Sequence, residues 1–164
     1  VPAAASISAT GTFRTEAEKL RAAVPKLKSA ADAFPDAAAG IQARYHMAGA
    51  LAALGQHAEA MAAFDEVVGK AGRDSLLGRM ARLGKADAQA RAGQVDAAIA
   101  AWKEIVAQGG TDLPLDAVLM ELARAYAQKG DTAEARKTYT QLVDQHPTSP
   151  YLADARQELE SLKG

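Results

Sequence analysis

The chain has 164 residues, which is enough for one ordinary domain with an apolar core and no disulfide or metal to staple it. Its net charge is −1, from 19 basic and 20 acidic residues spread along the chain, so it lacks the positive field that nucleic-acid binding requires. The absence of cysteine excludes disulfides and thiol chemistry, and no apolar run approaches the roughly 18 residues of a membrane span, so we expect a soluble chain.

Roughly a quarter of the residues are alanine, which is the best helix former and allows helices to approach closely. Residues 1–12 are small, polar and unpatterned, and we interpret them as a flexible linker. The chain begins with Val1 instead of Met, which indicates processing or truncation. A signal peptide or a membrane anchor that tethered the protein is one possibility for what preceded it.

The first periodic segment spans residues 13–34 and predicts one amphipathic helix. Its apolar residues step by four and three along a single face: Phe13, Ala17, Leu20, Val24, Leu27, Ala31 and Phe34. Pro25 lies in this stripe, but the stripe keeps its phase on both sides, which favours a kinked continuous helix over two helices. The same heptad spacing would also suit the seam of a coiled-coil dimer.

The rest of the chain predicts seven more helices, separated by glycine or proline. Their expected ranges are Ala37–Leu54, Ala58–Lys70, about Ser75–Ala92, Val95–Gln108, two helices within 114–147 joined by a turn at 129–131, and 150–163. Asp36 and Asp74 are the expected N-caps of the first and third of these, and Asp131 with Glu134 has the spacing of a capping box. The last helix is apolar on one side only, as a terminal cap would be.

Three turn glycines reveal an internal repeat. Gly55, Gly93 and Gly130 are 38 and 37 residues apart (93 − 55 and 130 − 93). At fixed distances from each glycine stand two alanines and one aromatic residue, namely Ala48, Ala60 and Phe64; Ala86, Ala98 and Trp102; and Ala123, Ala135 and Tyr139. Small residues let two helices touch where they cross, and an aromatic ring fills the space between successive hairpins.

In these positions the chain resembles the tetratricopeptide repeat (TPR) family, whose unit is a helix–turn–helix of 34 residues. The third copy matches best, the first has Arg44 where a large apolar residue is usual, and the second has Lys85 and Gln89 in place of leucine and tyrosine. The resemblance implies an all-α, right-handed α-solenoid in a single domain, residues 13–164. Its three hairpins would occupy about 37–72, 75–110 and 113–147, preceded by an N-terminal helix and closed by a capping helix at 150–163.

The resemblance also implies a function without catalysis or cofactor, namely binding a peptide or protein segment in the concave groove of the solenoid. Carried over from the family, the groove residues would be Gln42, Tyr45, Gly49, Met80, Leu83, Asp87, Arg91, Met120, Arg124 and Gln128. An apolar strip within this set favours a partner with hydrophobic anchors. Two alternatives remain open: these residues pack against a neighbouring helix or the N-terminal segment, or the chain is a structural module that dimerises through its first helix.

A shorter resemblance concerns the ending, where Pro147-Thr148-Ser149-Pro150-Tyr151 is similar to a linker in bacterial cell-envelope TPR proteins. These include the periplasmic coordinator associated with the Tol–Pal system and the ancillary subunit of the Sec translocon. This resemblance implies a periplasmic or envelope protein, with the cytoplasm as the alternative.

No residue pattern predicts catalysis or metal binding. His46, His57 and His146 lack the spacings that place two ligands on one helix face. Adjacent carboxylates such as Asp65 and Glu66 have the pattern of a solvated helix face. An enzyme would require a pocket that gathers carboxylates from several helices.

Overall fold

The structure, a computed structural model, describes residues 15–162, and this part of the chain forms eight α-helices. They are α1 (Glu16–Ala33), α2 (Ala38–Ala53), α3 (His57–Ala71), α4 (Leu76–Arg91), α5 (Val95–Gln108), α6 (Leu115–Gln128), α7 (Thr132–Gln145) and α8 (Leu152–Ser161). The predicted linker over 1–12, Phe13 and the last residue of the predicted capping helix, Lys163, lie outside the described residues.

Each helix packs mainly on its neighbours in the chain, which is the contact pattern of a solenoid. Helices α2 and α3, α4 and α5, and α6 and α7 form three hairpins, while α1 lies against α2 and α8 against α7. The fold is therefore the predicted all-α solenoid, with a leading helix and a closing helix.

Helix α1 runs without a break through Pro25. Thr15 caps its first turn by accepting a hydrogen bond from the backbone N–H of Glu18 at 3.2 Å. The proline therefore does not divide the helix, as the unbroken apolar stripe predicts. Val24 and Leu27 of that stripe pack against the core of the first hairpin.

The three turn glycines adopt the left-handed conformation, with φ of 79° at Gly55, 80° at Gly93 and 79° at Gly130. In the first turn the backbone N–H of Gln56 donates to the carbonyl of Leu51 at 2.9 Å, and the other two turns repeat this bond. A side chain at these glycines would be strained, which explains the fixed place of glycine in the repeat.

The small residues of the repeat lie where the two helices of each hairpin meet. All six are fully buried, with a relative exposure of 0%: Ala48, Ala60, Ala86, Ala98, Ala123 and Ala135. The three aromatic residues beside them are also buried. Helix crossings of this closeness leave no room for a larger side chain.

The buried apolar residues form two clusters that meet within α4. Ala81 belongs to the cluster of the first hairpin, whereas Ala86, five residues later, belongs to the larger cluster that extends to α8. The second hairpin is thus shared between two packing units, one on each side of it.

Two predicted N-caps are wrong. Helix α2 has Ala37 at its N-cap without a side-chain bond, and Asp36 instead accepts a hydrogen bond from Lys70 at 2.6 Å. Helix α4 is capped by Ser75, not Asp74, and the Ser75 hydroxyl accepts from the N–H of Gly78 at 3.0 Å. Half of the capping box predicted at Asp131 and Glu134 forms: the Asp131 carboxylate accepts from the N–H of Glu134 at 3.2 Å, but the N–H of Asp131 donates to the carbonyl of Tyr126 at 2.9 Å.

Glycines near the starts of α2 and α4 make close contact with the preceding loop. A Cβ atom built on Gly40 would lie 1.8 Å from the carbonyl oxygen of Phe34, and one on Gly78 would lie 1.9 Å from that of Gly72. These two glycines are 38 residues apart (78 − 40), so they occupy equivalent places in the first and second copies. Only glycine fits beneath a loop that folds back so closely.

Arginines occupy a usually apolar place in the first two copies. Arg44, whose side chain is 12% exposed, forms ion pairs with Asp32 of α1 and Glu66 of α3. Arg82, 38 residues later, bonds to Glu104 at 2.8 Å and to Gln108 at 3.0 Å, both on α5. Leu119 stands in the same place in the third copy, 37 residues beyond Arg82, and is fully buried.

Lys85 of the second copy also has a polar partner, since its ammonium group bonds to both carboxylate oxygens of Asp65 at 2.7 Å. Gln89 is half-buried in the same cleft. The first helix of this copy therefore combines polar contacts at Arg82 and Lys85 with the apolar packing of Ala81 and Ala86.

Candidate functional site

A cavity lies between the first half of α2, the end of α3 and the start of α4. It has a volume of about 650 Å³, and its apolar wall is formed by Ile41, Tyr45, Leu76, Leu77 and Met80. Leu76, at the edge of this cavity, is 53% exposed. We call this space the first cavity.

A smaller cavity of about 270 Å³ adjoins it, between α2, α4 and the segment that leads into α6. Tyr45 and Met80 line both cavities and so join them, while Leu83 and Leu113 belong to the second cavity alone. We call the two cavities together the α2–α4 groove.

Tyr45 is held in place by its neighbours. Its ring meets the ring of Phe64 edge-on, with centroids 5.9 Å apart, and that of His46 at 5.6 Å. Burial, and to a smaller degree the carboxylate of Asp87, raises the pKa of the Tyr45 hydroxyl. The ring is therefore a fixed, neutral wall between the two cavities.

Asp87 is a half-buried carboxyl group in the second cavity. The indole N–H of Trp102 donates a hydrogen bond to it at 3.0 Å. Burial raises the pKa of Asp87 and Glu121 adds to the rise, while the bond from Trp102 and the charge of Arg91 act against it.

The segment before α6 is attached to α4 by Arg79. Its guanidinium donates to the carbonyl oxygen of Gly109 at 2.6 Å and to Asp112 at 3.1 Å. These bonds hold Leu113 and Pro114 against the second cavity. The wall of the groove next to α6 is thus a loop that Arg79 holds in place.

The structure brings five of the ten predicted groove residues together: Gln42, Tyr45, Met80, Leu83 and Asp87. Gly49, Arg91, Arg124 and Gln128 are exposed and line neither cavity. Arg124 pairs instead with Glu121 at 3.3 Å and with Asp154 at 3.9 Å.

The prediction that Met120 lines the groove is wrong. The Met120 side chain is 0% exposed and belongs to the apolar core of the C-terminal half, so it is not available to a ligand. In the third copy the large apolar cluster extends to this face of α6, and Tyr151 at the N-cap of the closing helix and Leu159 within it pack against the cluster.

Several lining residues were missed from the sequence. Leu76 and Leu77 directly follow the cap Ser75, and Leu113 lies in a Gly-rich break that we expected to be a loop only. A leucine within a polar loop is the signal that could have identified Leu113, since loops seldom bury large apolar residues without a partner.

Other kinds of site find no support in the part of the chain that the structure describes. Within residues 15–162 there is no group of three or more histidine, aspartate or glutamate side chains placed to hold a metal ion. None of the described helices combines the length and the apolar character needed to cross a membrane.

The family model for the tetratricopeptide repeat matches residues 15–75 and 83–150. The chain belongs to the tetratricopeptide repeat family. Repeats of this family generally mediate interactions between proteins.

Solved TPR structures show the same fold. Two crystal structures of the nearly identical TPR-like repeats of a protein assigned as a kinesin light chain, from Podosopora anserina, superpose on the chain. The first has a TM-score of 0.73 at 23% sequence identity and covers 88% of this chain and 78% of its own. The second, a variant of the same repeats with one glutamine replaced by methionine, has a TM-score of 0.72 at 24% identity, with 88% and 77% covered. No curated protein matches the chain.

The ending that resembles envelope TPR proteins has a defined structural role. The Ser149 hydroxyl donates to Asp116 of α6 at 2.7 Å and accepts from the backbone N–H of Tyr151 at 3.1 Å. The linker therefore sets the position of α8 on the last TPR hairpin. This geometry serves the packing of the closing helix.

Proposed function

We propose that the chain binds an extended or helical segment of a partner protein in the α2–α4 groove. The observation that carries the proposal is the first cavity, because about 650 Å³ of mostly apolar space on a folded surface is of the size that accepts side chains of a ligand. Leu76 at its rim is exposed, and exposed apolar residues beside a cavity are typical of an interaction site.

The groove is a better candidate than the cleft between α3, α4 and α5, because most of its lining is apolar and two of its walls are held in place. Tyr45 is fixed by Phe64, and Arg79 fixes the opposite wall at Gly109. By contrast, the cleft that contains Arg73, Arg82 and Lys85 is filled with ion pairs to Glu104 and Asp65. A ligand there would have to break existing bonds.

The test compares two aspartate substitutions. Leu76→Asp places a charge at the rim of the first cavity, and since Leu76 is exposed and begins α4, where an acidic residue suits the helix dipole, folding should be retained. Ala62→Asp places the same charge on an exposed site of α3 that lines neither groove cavity.

Peptides selected from a random library on the wild-type protein should lose at least about tenfold in affinity on Leu76→Asp, because about 1.4 kcal/mol corresponds to a factor of ten. They should bind Ala62→Asp as they bind the wild type. Equal binding to all three proteins would refute the groove as the binding site.

Self-assembly through α1 stays a prediction, and the packing within the chain weighs against it. Val24 and Leu27, which would form the dimer seam, already pack on the core of the first hairpin. Light scattering across a range of concentrations tests this alternative, since a constant monomer mass would end it.

The envelope location is a separate proposal, supported by the resemblance at Pro147–Tyr151. Fractionation of cells that produce the protein from its natural gene would test it. Recovery in the cytoplasmic fraction alone would contradict it.

A further inference from the structure

The second cavity combines apolar walls with carboxylate groups. Met80, Leu83 and Leu113 supply the walls, Tyr45 contributes an aromatic ring, and Asp87 and Asp112 supply the carboxylates. A purely apolar ligand would remove water from the half-buried carboxylate of Asp87 without offering it a new partner, which is unfavourable. The lining therefore suits a side chain that is apolar along its stem and charged at its end.

The two carboxylates differ in their partners. Asp112 is engaged by the guanidinium of Arg79 at 3.1 Å. Asp87 receives the indole N–H of Trp102, and no lysine or arginine of the described residues lies within ion-pair distance of it. Arg91, four residues further along α4, is exposed and forms no ion pair with Asp87.

The groups around Asp87 come from four helices. Tyr45 of α2 and Glu121 of α6 face it, with Arg91 on α4 and Trp102 on α5. Burial has raised the pKa of this carboxyl group, so its charged form is under-compensated in the free protein.

We propose that the second cavity receives a lysine or arginine side chain of the bound partner segment, next to an apolar side chain that occupies the first cavity. The inference rests on the proposed function and adds the chemistry of the partner. The two cavities share Tyr45 and Met80, so the basic and the apolar side chains come from neighbouring positions of the partner.

The interactions expected for such a side chain are of two kinds. Its methylene groups lie on Met80 and Leu83, while its cation reaches the carboxylate of Asp87 at the end of the pocket. The ring of Tyr45 borders the same space and attracts a cation over its face. An acidic side chain in this cavity would instead meet Asp87 and be repelled.

Selection from a random peptide library tests the inference without assuming a sequence. Wild-type protein should enrich peptides with lysine or arginine within two positions of a large apolar residue. Asp87→Asn keeps an oxygen that accepts the bond from Trp102, so the fold is retained, but it removes the charge. Selection on this variant should keep the apolar preference and lose the basic one.

Asp144→Asn is the matched control, since it removes one carboxylate from an exposed site on α7 that lines neither cavity. It should enrich the same basic peptides as wild type. Arg91→Gln removes an exposed positive charge that acts on Asp87 from four residues along α4, so it should strengthen the basic preference.

The indole N–H resonance of Trp102 can be used to detect binding in the second cavity, because Trp102 is the one tryptophan of the sequence and its indole N–H bonds to Asp87. The indole resonance in a ¹H–¹⁵N spectrum should shift when a selected basic peptide is titrated into wild-type protein. The shift should be much smaller when the lysine or arginine of that peptide is replaced by glutamine.

The outcomes separate this inference from the proposed function. Peptides that depend on Leu76 but show no basic preference, or a basic preference that survives Asp87→Asn, would overturn the inference and leave the groove intact. Peptides that bind Leu76→Asp as well as wild type, or a selection that enriches none, would overturn both.

Discussion

The first two hairpins have a charged residue at a repeat position where the third hairpin has an apolar one. Arg44 and Arg82 occupy the place that Leu119 fills in the third copy, and each arginine reaches acidic residues on an adjacent helix. Leu119 is instead surrounded by the large apolar cluster of the C-terminal half. The backbone frame is common to the three copies, while the residues that fill it are not.

This difference predicts which half of the chain has the larger free energy of unfolding. The partners of the two arginines, such as Glu66 at 51% and Glu104 at 59% exposure, are open to water, and ion pairs of this kind contribute little net free energy. Burial of a leucine contributes more, about 1.5–3 kcal/mol. We therefore expect the C-terminal half to be the more stable one.

The groove lies where the arginines are, between α2 and α4. With polar residues used for packing on one side of these helices, apolar residues such as Leu76 and Leu83 remain available on the other. Met120, 37 residues after Leu83, has the equivalent position in the third copy, but it is buried in the core. The half that we expect to be less stable is thus the half that contains the proposed binding groove.

The strongest way to break the C-terminal half is Ala135→Lys. Ala135 is fully buried where α6 and α7 cross, so a long charged side chain there both overpacks the contact and buries a charge. We expect a loss above about 4 kcal/mol, enough to unfold this hairpin. Thermal denaturation by circular dichroism measures it, with the exposed Ala133→Lys as control; an unchanged melting temperature would mean that the repeat register is wrong.

The second largest effect should come from Leu119→Ala, which leaves a cavity in the apolar cluster. Fully buried leucines lose about 2–5 kcal/mol on this change. Urea denaturation at low and high salt should give the same loss, because no charge is involved. A loss below about 1 kcal/mol would refute the greater stability of the C-terminal half.

Gly84→Ala tests the contact between the first two copies. A Cβ on Gly84 would lie 2.4 Å from the ring of Phe64, so we expect a loss of about 1–3 kcal/mol although alanine is the better helix former. Gly49→Ala, in a place with open space around it, should instead gain about 0.5–1 kcal/mol. Chemical denaturation of both variants measures the contrast; a gain at both sites would show that Phe64 moves aside freely.

Arg82→Leu converts the second copy to the chemistry of the third and should change the stability by no more than about 1 kcal/mol. Glu104 is exposed and can be solvated when its partner is lost. The diagnostic result is the salt dependence of unfolding, which should be weaker than in wild type. A loss of several kcal/mol would show that Arg82 is essential to the stacking of α4 on α5.

The smallest effect concerns Asp87 and pH. Because its folded pKa is raised, the native state holds the proton more tightly than the unfolded chain does. Its contribution to stability therefore rises as pH falls through the raised folded pKa and levels off near the ordinary value of 3.8. The difference in unfolding free energy between wild type and Asp87→Asn should follow this trend in denaturation at several pH values; a difference that stays constant with pH would contradict it.

Much of the fold could be predicted from the sequence, because periodicity and glycine act locally. The three turn glycines, the buried alanines and the aromatic residues follow from backbone conformation and from the space at a helix crossing. The N-cap of α2 could not be predicted, because Asp36 bonds to Lys70, a distant partner that no local pattern reveals.

The candidate site was harder to predict, because it depends on which face of each helix its neighbours cover. Met120 and Leu83 have equivalent places in the repeat, yet one is buried by the C-terminal core and the other lines the groove. Leu113 lines it only because Arg79 holds the preceding loop in place. The spacing of residues along the chain does not predict such long-range contacts.

The glycines beneath the first two inter-repeat loops, Gly40 and Gly78, have a consequence for repeat engineering. Each loop folds back so far that its carbonyl oxygen occupies the space of a side chain on the following helix. Loop and glycine therefore form one exchangeable cassette. A designer who inserts such a loop into another TPR array must transfer the glycine with it, whereas the third loop requires a different set, its own Gly109 and Gly110 together with Arg79.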